Sequence, residues 1–281
     1  MSAVVSKATK RRSGFLKVLG GSPVMGPLVA LILASIFFAF KSDKFLTGAN
    51  FSLILQQVVV VGTLAIGQTL IILTSGIDLS NGAIMALSGV LMSSLAADHG
   101  VPPVLAILIG IGVAMTFGLI NGSLVTGVRL PAFIVTLGVY NIAFALTRIY
   151  TTATITGLPD LLLFLGNTFR VGSTEITYGS VLMLLMYALT WFILRSTPAG
   201  RSVYAVGDNP EAARLAGINT SRVLVGVYVM AGLTYGIAAL MLVARTGVGD
   251  PQSGQTAALE SITAVVLGGT SLFGGRGTII G

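Results

Sequence analysis

The sequence predicts an all-α fold: a polytopic membrane helical bundle of about eight membrane segments. Three observations carry that expectation. The mean hydropathy is +0.95. Charged residues make up 9% of the chain, where soluble domains carry about a quarter. Apolar runs recur along the sequence, several of them long enough to cross a hydrocarbon core of about 30 Å. The 36 glycines suit close packing of helix backbones. With no cysteine there is no disulfide, thiolate metal site or cysteine nucleophile.

The formal charge of +7 raises the question of nucleic acid, and its placement answers it. The bases gather at the N-terminus (Lys7, Lys10, Arg11, Arg12, Lys17) and within residues 195–222 (Arg195, Arg201, Arg214, Arg222). That is the positive-inside bias of a membrane protein. A nucleic-acid groove needs a basic stripe interleaved with aromatics, and none is present.

In chain order, residues 1–23 read as a basic cytoplasmic tail and residues 24–281 as a single transmembrane domain. The first span covers residues 24–40. Lys41-Ser-Asp-Lys44 follows it where a signal peptide would need small residues, so this helix is retained. The second span, residues 53–73, carries Gln56, Gln57 and Gln68, which turn one face into the bundle. A polar break with two glycines then runs from Thr74 to Gly82. Asp78, Ser80 or Asn81 could cap the helix that follows, residues 83–97. The break sits either at the cytoplasmic face, with Asp78 as an ordinary cap, or within the membrane as a discontinuous helix. In the second case it would line a pathway and Asp78 would be a functional-site candidate.

His99, the one histidine, lies beside a turn and makes no metal site alone. The fourth span, residues 104–125, holds Gly118-x-x-x-Gly122 for close packing and Asn121 as an interhelical hydrogen bonder. The fifth, residues 133–150, contains Asn141. The threonine-rich residues 151–177 read as an external segment folded as a small cap. The sixth span is residues 179–194, with Trp191 as an interface anchor. The seventh, residues 223–243, carries Gly232-x-x-x-Gly236. Residues 245–256 read as an external loop, residues 259–272 as a short or tilted eighth span, and Gly274 to Gly277 as an inner turn. No internal repeat is evident. With the N-terminus inside, about 11 of the 16 Lys and Arg fall on cytoplasmic segments.

Residues 195–222 are the one long polar stretch within the apolar chain. Residues 210–216 read as a helix of about two turns. Asp208 or Asn209 can cap it, Pro210 suits its first position, and Gly217 ends it. So short a helix is marginal alone in water and calls for a partner surface. It is either a docking element or a capped connector between two spans.

Enzymatic motifs are missing. There is no GxxxxGK[ST], no HExxH and no nucleophile elbow. Asp78 and Glu260 are the only acidic candidates on the apolar segments. Uphill transport would need energy from a partner or an ion gradient.

Three stretches together resemble the membrane-spanning permease subunits of bacterial ABC importers of the ribose/monosaccharide type, relatives of the branched-chain amino-acid permeases. The first is Gly76-Ile-Asp-Leu-Ser80 with Gly82, similar to TGGIDLSVG. The second is Gly118-Leu-Ile-Asn-Gly-Ser-Leu-Val125 with Pro131-Ala-Phe-Ile-Val-Thr-Leu-Gly138, similar to GxxNGxLV and PPFIVTLG. The third is Ala205-Val-Gly-Asp-Asn-Pro-Glu-Ala-Ala-Arg-Leu-Ala-Gly-Ile218, then Ala264-Val-Val-Leu-Gly-Gly-Thr-Ser-Leu272 and Gly274-Gly-Arg-Gly277. Three positions depart from the pattern. Asn81 replaces a small or apolar residue, Ala132 replaces the second proline, and Ser261 replaces the Asp of YELDAIA.

The resemblance implies a permease that pairs in the membrane, expected as a homodimer, in the bacterial inner membrane. It implies a cytoplasmic ABC ATPase docked on a coupling helix formed by Asp208, Asn209, Pro210, Glu211, Arg214 and Gly217. It implies a periplasmic sugar-binding protein that delivers a ribose-like monosaccharide, and no cofactor or metal. About ten spans are expected in full-length relatives, so two would follow residue 281. Pathway candidates are the polar residues on apolar segments: Gln56, Gln57, Gln68, Asp78, Asn121, Asn141 and Glu260. The rival readings are an ion-gradient-driven secondary transporter and a non-transporting truncated copy.

Overall fold

The computed structural model describes residues 25–281. The basic tail expected over residues 1–23, and the first residue of the first span, lie outside the described residues. In chain order the helices are α1 (Met25–Lys41), α2 (Gly48–Leu73), α3 (Asn81–Ala97), α4 (Pro103–Ser123), α5 (Ala132–Tyr150), α6 (Asp160–Leu163), α7 (Tyr178–Ser196), α8 (Pro198–Asp208), α9 (Pro210–Leu215), α10 (Thr220–Thr246) and α11 (Ala257–Leu267). A single π-helical segment, Leu124–Val128, extends α4. Among the described residues each predicted apolar segment contains a helix, but the eighth, expected over residues 259–272, is helical only to Leu267. Among the described residues five helices are long and apolar enough to cross a membrane: α2, α4 with its extension, α5, α7 and α10. Three more, α1, α3 and α11, are apolar but shorter.

The fold is not purely α. Residues 151–177, expected as a small cap, hold α6, a 3₁₀ turn and an antiparallel hairpin of β1 (Thr168–Val171) and β2 (Thr174–Thr177). The hairpin leans on the start of α2, where the Glu175 backbone N–H donates to Ser52 Oγ at 2.7 Å. Local chemistry sets the helix starts. The Thr177 hydroxyl accepts from the Ser180 N–H at the head of α7, and the Asn219 side chain accepts from the Arg222 N–H at the head of α10.

Helix α10 is the centre of the bundle and packs on α4, α2 and α3. Both predicted small-residue motifs lie on one crossing. A Cβ at Gly118 or Gly122 would meet the α10 backbone at Tyr228 or Val225. A Cβ at Gly232 or Gly236 would meet α4 at Ala114–Met115 or Ile111. The backbones approach because neither side carries a Cβ, which is how helices associate where lipid offers no hydrophobic drive. Helix α1 has no buried residue, and its Leu31, Leu33 and Phe40 point outward, as suits a helix facing lipid.

An internal repeat, not evident from the sequence, organises two of the shorter apolar helices, α3 and α11. Thr74-x-x-x-Asp78-x-x-x-Gly82 follows α2, and Thr246-x-x-x-Asp250-x-x-x-Gly254 follows α10. The parent helices are similar in length, 26 and 27 residues. Each Asp makes the same turn: Oδ1 of Asp78 accepts from the Ser80 N–H, and Oδ1 of Asp250 from the Gln252 N–H. After each turn a short helix leads away, α3 toward the hairpin face and α11 toward the opposite face. Where they start, they touch reciprocally. A Cβ on Gly82 would strike the Gly254 carbonyl, and one on Gly254 would strike the Gly82 carbonyl. A self-complementary contact of this kind marks a two-fold relation between the halves. Residues 245–256, expected as an external loop, instead begin with the last two residues of α10 and bring Gly254 against buried Gly82 inside the bundle.

Candidate functional site

The break after α2 has exposed Ser75 near its start and then runs inside the bundle. Asp78 is 1% exposed. Its carboxylate accepts from the Ser80 N–H at 2.7 Å, from the Ser80 hydroxyl, and from the Tyr235 hydroxyl at 3.1 Å. Tyr235 stands near the middle of α10, so the carboxylate is held at mid-depth. Asn121 of α4 donates to Ser80 Oγ at 2.9 Å. Thr136 of α5 accepts from the Leu79 N–H and donates to the Ile77 carbonyl, tying the extended backbone to a third helix. None of the three predicted caps satisfies α3 by its side chain: Ser80 holds the cap position without a capping bond, and Asp78 caps its own turn instead.

Next to this anchor the two shorter spans are joined by side chains. Asn81 Nδ2 donates to Ser261 Oγ at 2.8 Å and lies 3.2 Å from Gln68 Oε1. Gln68, Asn81, Asn121 and Ser261 are fully buried. Four polar atoms around them have no hydrogen-bond partner: Gln68 Nε2, Asn81 Oδ1, Asn121 Oδ1 and the Tyr228 hydroxyl. A buried polar network usually satisfies all its members, so this one is under-satisfied.

Of the predicted pathway residues, Gln68, Asp78 and Asn121 come together here. The other four do not. Gln56 lines a cavity of about 500 Å³ near the hairpin with Ser52, Arg170, Ser173 and Glu175. Gln57 is exposed on α2 and turns out of the bundle, against the expectation that all three glutamines face inward. Asn141 is exposed and donates to the Leu137 carbonyl of its own helix. Glu260 is exposed on α11, held by the Thr256 hydroxyl. The sequence marked Asn81 as a cap candidate and as a departure from the family pattern, marked Ser261 as a departure alone, and gave no sign of Tyr235, which looks like any apolar helix residue. Among the described residues no three His, Cys, Asp or Glu side chains gather as a metal site.

The second candidate surface is the polar stretch between α7 and α10. It holds two helices where one was expected. Thr197 caps α8 through the Gly200 N–H. Asn209, not Asp208, caps α9, its Oδ1 accepting from the Ala212 N–H at 3.0 Å. Pro210 opens α9, and Gly217 closes it with φ of +85°. Glu211 and Arg214 pair at 3.0 Å on the solvent side, and Leu215 is 78% exposed. Only Ala213 of α9 is buried.

Helix α8 is fixed to the bundle at its end. Ser75 sits in the left-handed region with φ of +64°, an uncommon and strained setting for serine. Its Oγ lies 2.9 Å from the Gly207 carbonyl of α8 and 2.9 Å from the Phe273 carbonyl beyond α11. One hydroxyl proton is thus shared between the two. The Gly275 N–H donates to the Leu73 carbonyl, and the Tyr204 hydroxyl donates to the Gly277 carbonyl at 2.9 Å. Partial burial holds the Tyr204 hydroxyl above the usual phenol range.

A multi-pass helical bundle with an interrupted polar span at mid-depth and a capped, exposed helix pair on one face is the architecture of a membrane permease. The chain belongs to the family described as branched-chain amino acid transport system / permease component, which it matches over residues 50–281. It is 47% identical to a fructose import permease of Rhizobium meliloti, covering 94% of this chain and 75% of that protein. It is 40% identical to a ribose import permease of Bacillus subtilis (92% and 80% covered). It is 32% identical to an autoinducer 2 import system permease of Photorhabdus laumondii (95% and 79%). No solved structure matches the chain significantly.

Proposed function

We propose that this chain is the membrane subunit of an ATP-binding cassette importer and forms the pathway for a monosaccharide across the inner membrane. The reading rests on one observation above others: α9 is a capped helix that the bundle barely buries, in a chain whose relatives are named as sugar import permeases. A soluble ATPase docked on α9 supplies the energy, since no phosphate-binding motif exists in the sequence. Residues Asp208, Asn209, Pro210, Glu211, Arg214 and Gly217 form the coupling surface. A periplasmic binding protein delivers the sugar to the hairpin face, and a second permease copy completes the pathway. Arg195, Arg201, Arg214 and Arg222 gather on the face of α8 and α9, which supports reading that face as cytoplasmic, and the N-terminus is proposed to lie on the same side. The cargo is a ribose-like or fructose-like sugar. The fructose permease of Rhizobium meliloti has the higher identity of the two sugar relatives quoted, and ribose was the expectation from the motifs.

The test is reconstitution with the ATPase and binding protein encoded beside the gene, followed by uptake of labelled ribose and fructose. ATP-dependent uptake of either sugar supports the reading, and their ratio assigns the cargo. A second reading is favoured by the broken spans and buried Asp78, features shared with ion-coupled secondary transporters. Uptake driven by a proton or sodium gradient without any ATPase would replace the first reading with that one.

A further inference from the structure

We infer that the Asn81–Ser261 hydrogen bond is a latch between the two broken spans, opened and closed by movement of the α8–α9 unit, so that Asn81 and Ser261 are positioning residues for transport. The inference rests on the importer reading above. Four observations on different parts of the molecule support it.

The bond joins residues far apart in sequence, one at the head of α3 and one in the second turn of α11. These helices leave their meeting point in opposite directions, so parting them there opens the bundle at mid-depth. Their backbones cross at Gly82 and Gly254 with no side chain between them. Around the glycine contact, Ala257 and Met85 supply small apolar packing, and the Asn81–Ser261 bond is the polar side-chain link between the two helices.

The surrounding network is under-satisfied. Asn81 Oδ1 and Gln68 Nε2 have no partner beside the bond. Beside the bond, the two amides thus keep one acceptor and one donor that a second arrangement of the joint could use.

A continuous line of contacts runs from α9 to the latch. Asn209 caps α9 and follows Asp208, the last residue of α8. The Gly207 carbonyl of α8 takes the Ser75 hydroxyl, and Ser75 opens the extended segment that leads through Asp78 to Asn81. The other broken span is reached from the same point, because Ser75 also contacts the Phe273 carbonyl and Gly275 packs on Asp208. A rigid shift of α8 and α9 therefore acts on the ends of both broken spans at once. Asp78, pinned by Tyr235, is the fixed point against which that pull is applied.

Finally, the two residues that depart from the sequence pattern within these spans bond to each other. An apolar residue at position 81 and an acidic one at 261 could not form this bond, while an amide and a hydroxyl do.

The chain has no cysteine, so introduced thiols report without background. The experiment uses the double variant Asn81→Cys/Ser261→Cys in proteoliposomes with its ATPase and binding protein. Disulfide formation is timed without nucleotide and after arrest with ATP and vanadate. The expected result is a cross-linking rate that differs at least fivefold between the two states. The cross-linked fraction should keep its ATPase but lose uptake until a reductant is added. Equal rates in both states, or unchanged uptake by the cross-linked protein, would show a static support and overturn the latch. Should the double variant fold poorly, Asn81→Val gives an independent reading. ATP hydrolysed per sugar imported should rise at least threefold as the latch loses its bond, and an unchanged ratio counts against it. If the unaltered chain shows no ATP-driven uptake, the importer reading itself has failed, and that outcome is distinct from a static joint.

Discussion

Asn81 Nδ2 donates to Ser261 Oγ at 2.8 Å, although the two residues lie on different halves of an inverted repeat. Beside them Asp78 is locked by Ser80 and Tyr235, and the Gly82 and Gly254 backbones touch. The polar chemistry of a strongly apolar chain is thus concentrated where two interrupted spans begin. An extended segment in the membrane is tolerated only where the protein itself satisfies its backbone, and Thr136 does this for residues 77 and 79.

Asp78 should be structurally demanding because it satisfies three donors. Asp78→Ala strands the Ser80 and Tyr235 groups in the bundle, at about 1–3 kcal/mol for each unsatisfied group. Tyr235→Phe removes a single donor and should cost less. Thermal melting in mild detergent gives the order: wild type highest, then Tyr235→Phe, then Asp78→Ala. If Asp78→Ala melts with the wild type, the anchor assignment is wrong.

The α4–α10 crossing should reject side chains. Gly118→Val drives a branched side chain into the Tyr228 carbonyl and should destabilise the bundle by about 1–3 kcal/mol or more. Gly112→Ala on the same helix meets nothing within 4 Å and should be neutral or slightly stabilising. The contrast between the two melting curves separates close packing from a general effect of glycine loss.

Docking should follow the geometry of α9. Asn209→Ala removes the cap at a cost of about 1 kcal/mol, which weakens ATPase association roughly fivefold. Gly217→Pro is stronger, because φ of +85° is closed to proline, and should abolish co-elution with the ATPase while membrane insertion persists. Arg214→Glu reverses the charge beside Glu211 and should also prevent association. Co-elution retained in both the Gly217 and Arg214 variants would remove α9 as the docking element.

Glu260 offers a test of where the pathway runs. It is exposed on α11, on a surface with Leu259, at a depth where an ionisable group is costly unless it faces water or another chain. Glu260→Leu should reduce uptake at least tenfold without loss of the ATPase, whereas Asn141→Leu, which removes only a bond within its own helix, should leave uptake within about twofold. Normal uptake by Glu260→Leu would exclude that face of α11 from the pathway.

Much of the architecture was legible in the sequence. Apolar runs gave each membrane-level helix, because insertion requires only length and hydrophobicity. Asn209, Pro210 and Gly217 marked α9, because a cap, a first-turn proline and a left-handed glycine act over a few residues. The preceding α8 was missed: its amphipathic pattern was hidden in a stretch read only for polarity. Polarity alone also overestimated the site, since Gln57 and Asn141 point outward from helices whose facing depends on their neighbours.

Spans, caps and family motifs are local properties, and they were enough to mark the chain as a multi-pass permease with a short capped helix between α8 and α10. It takes the packed bundle to put Asp78 at mid-depth, to make Thr74–Asp78–Gly82 and Thr246–Asp250–Gly254 mates, and to bring Asn81 to Ser261. Those relations depend on which helix faces pack together. Small-residue contacts such as Gly118 on Tyr228 and Gly82 on Gly254 set that choice, and a glycine's partner is fixed by the approach of another backbone, which no local pattern records.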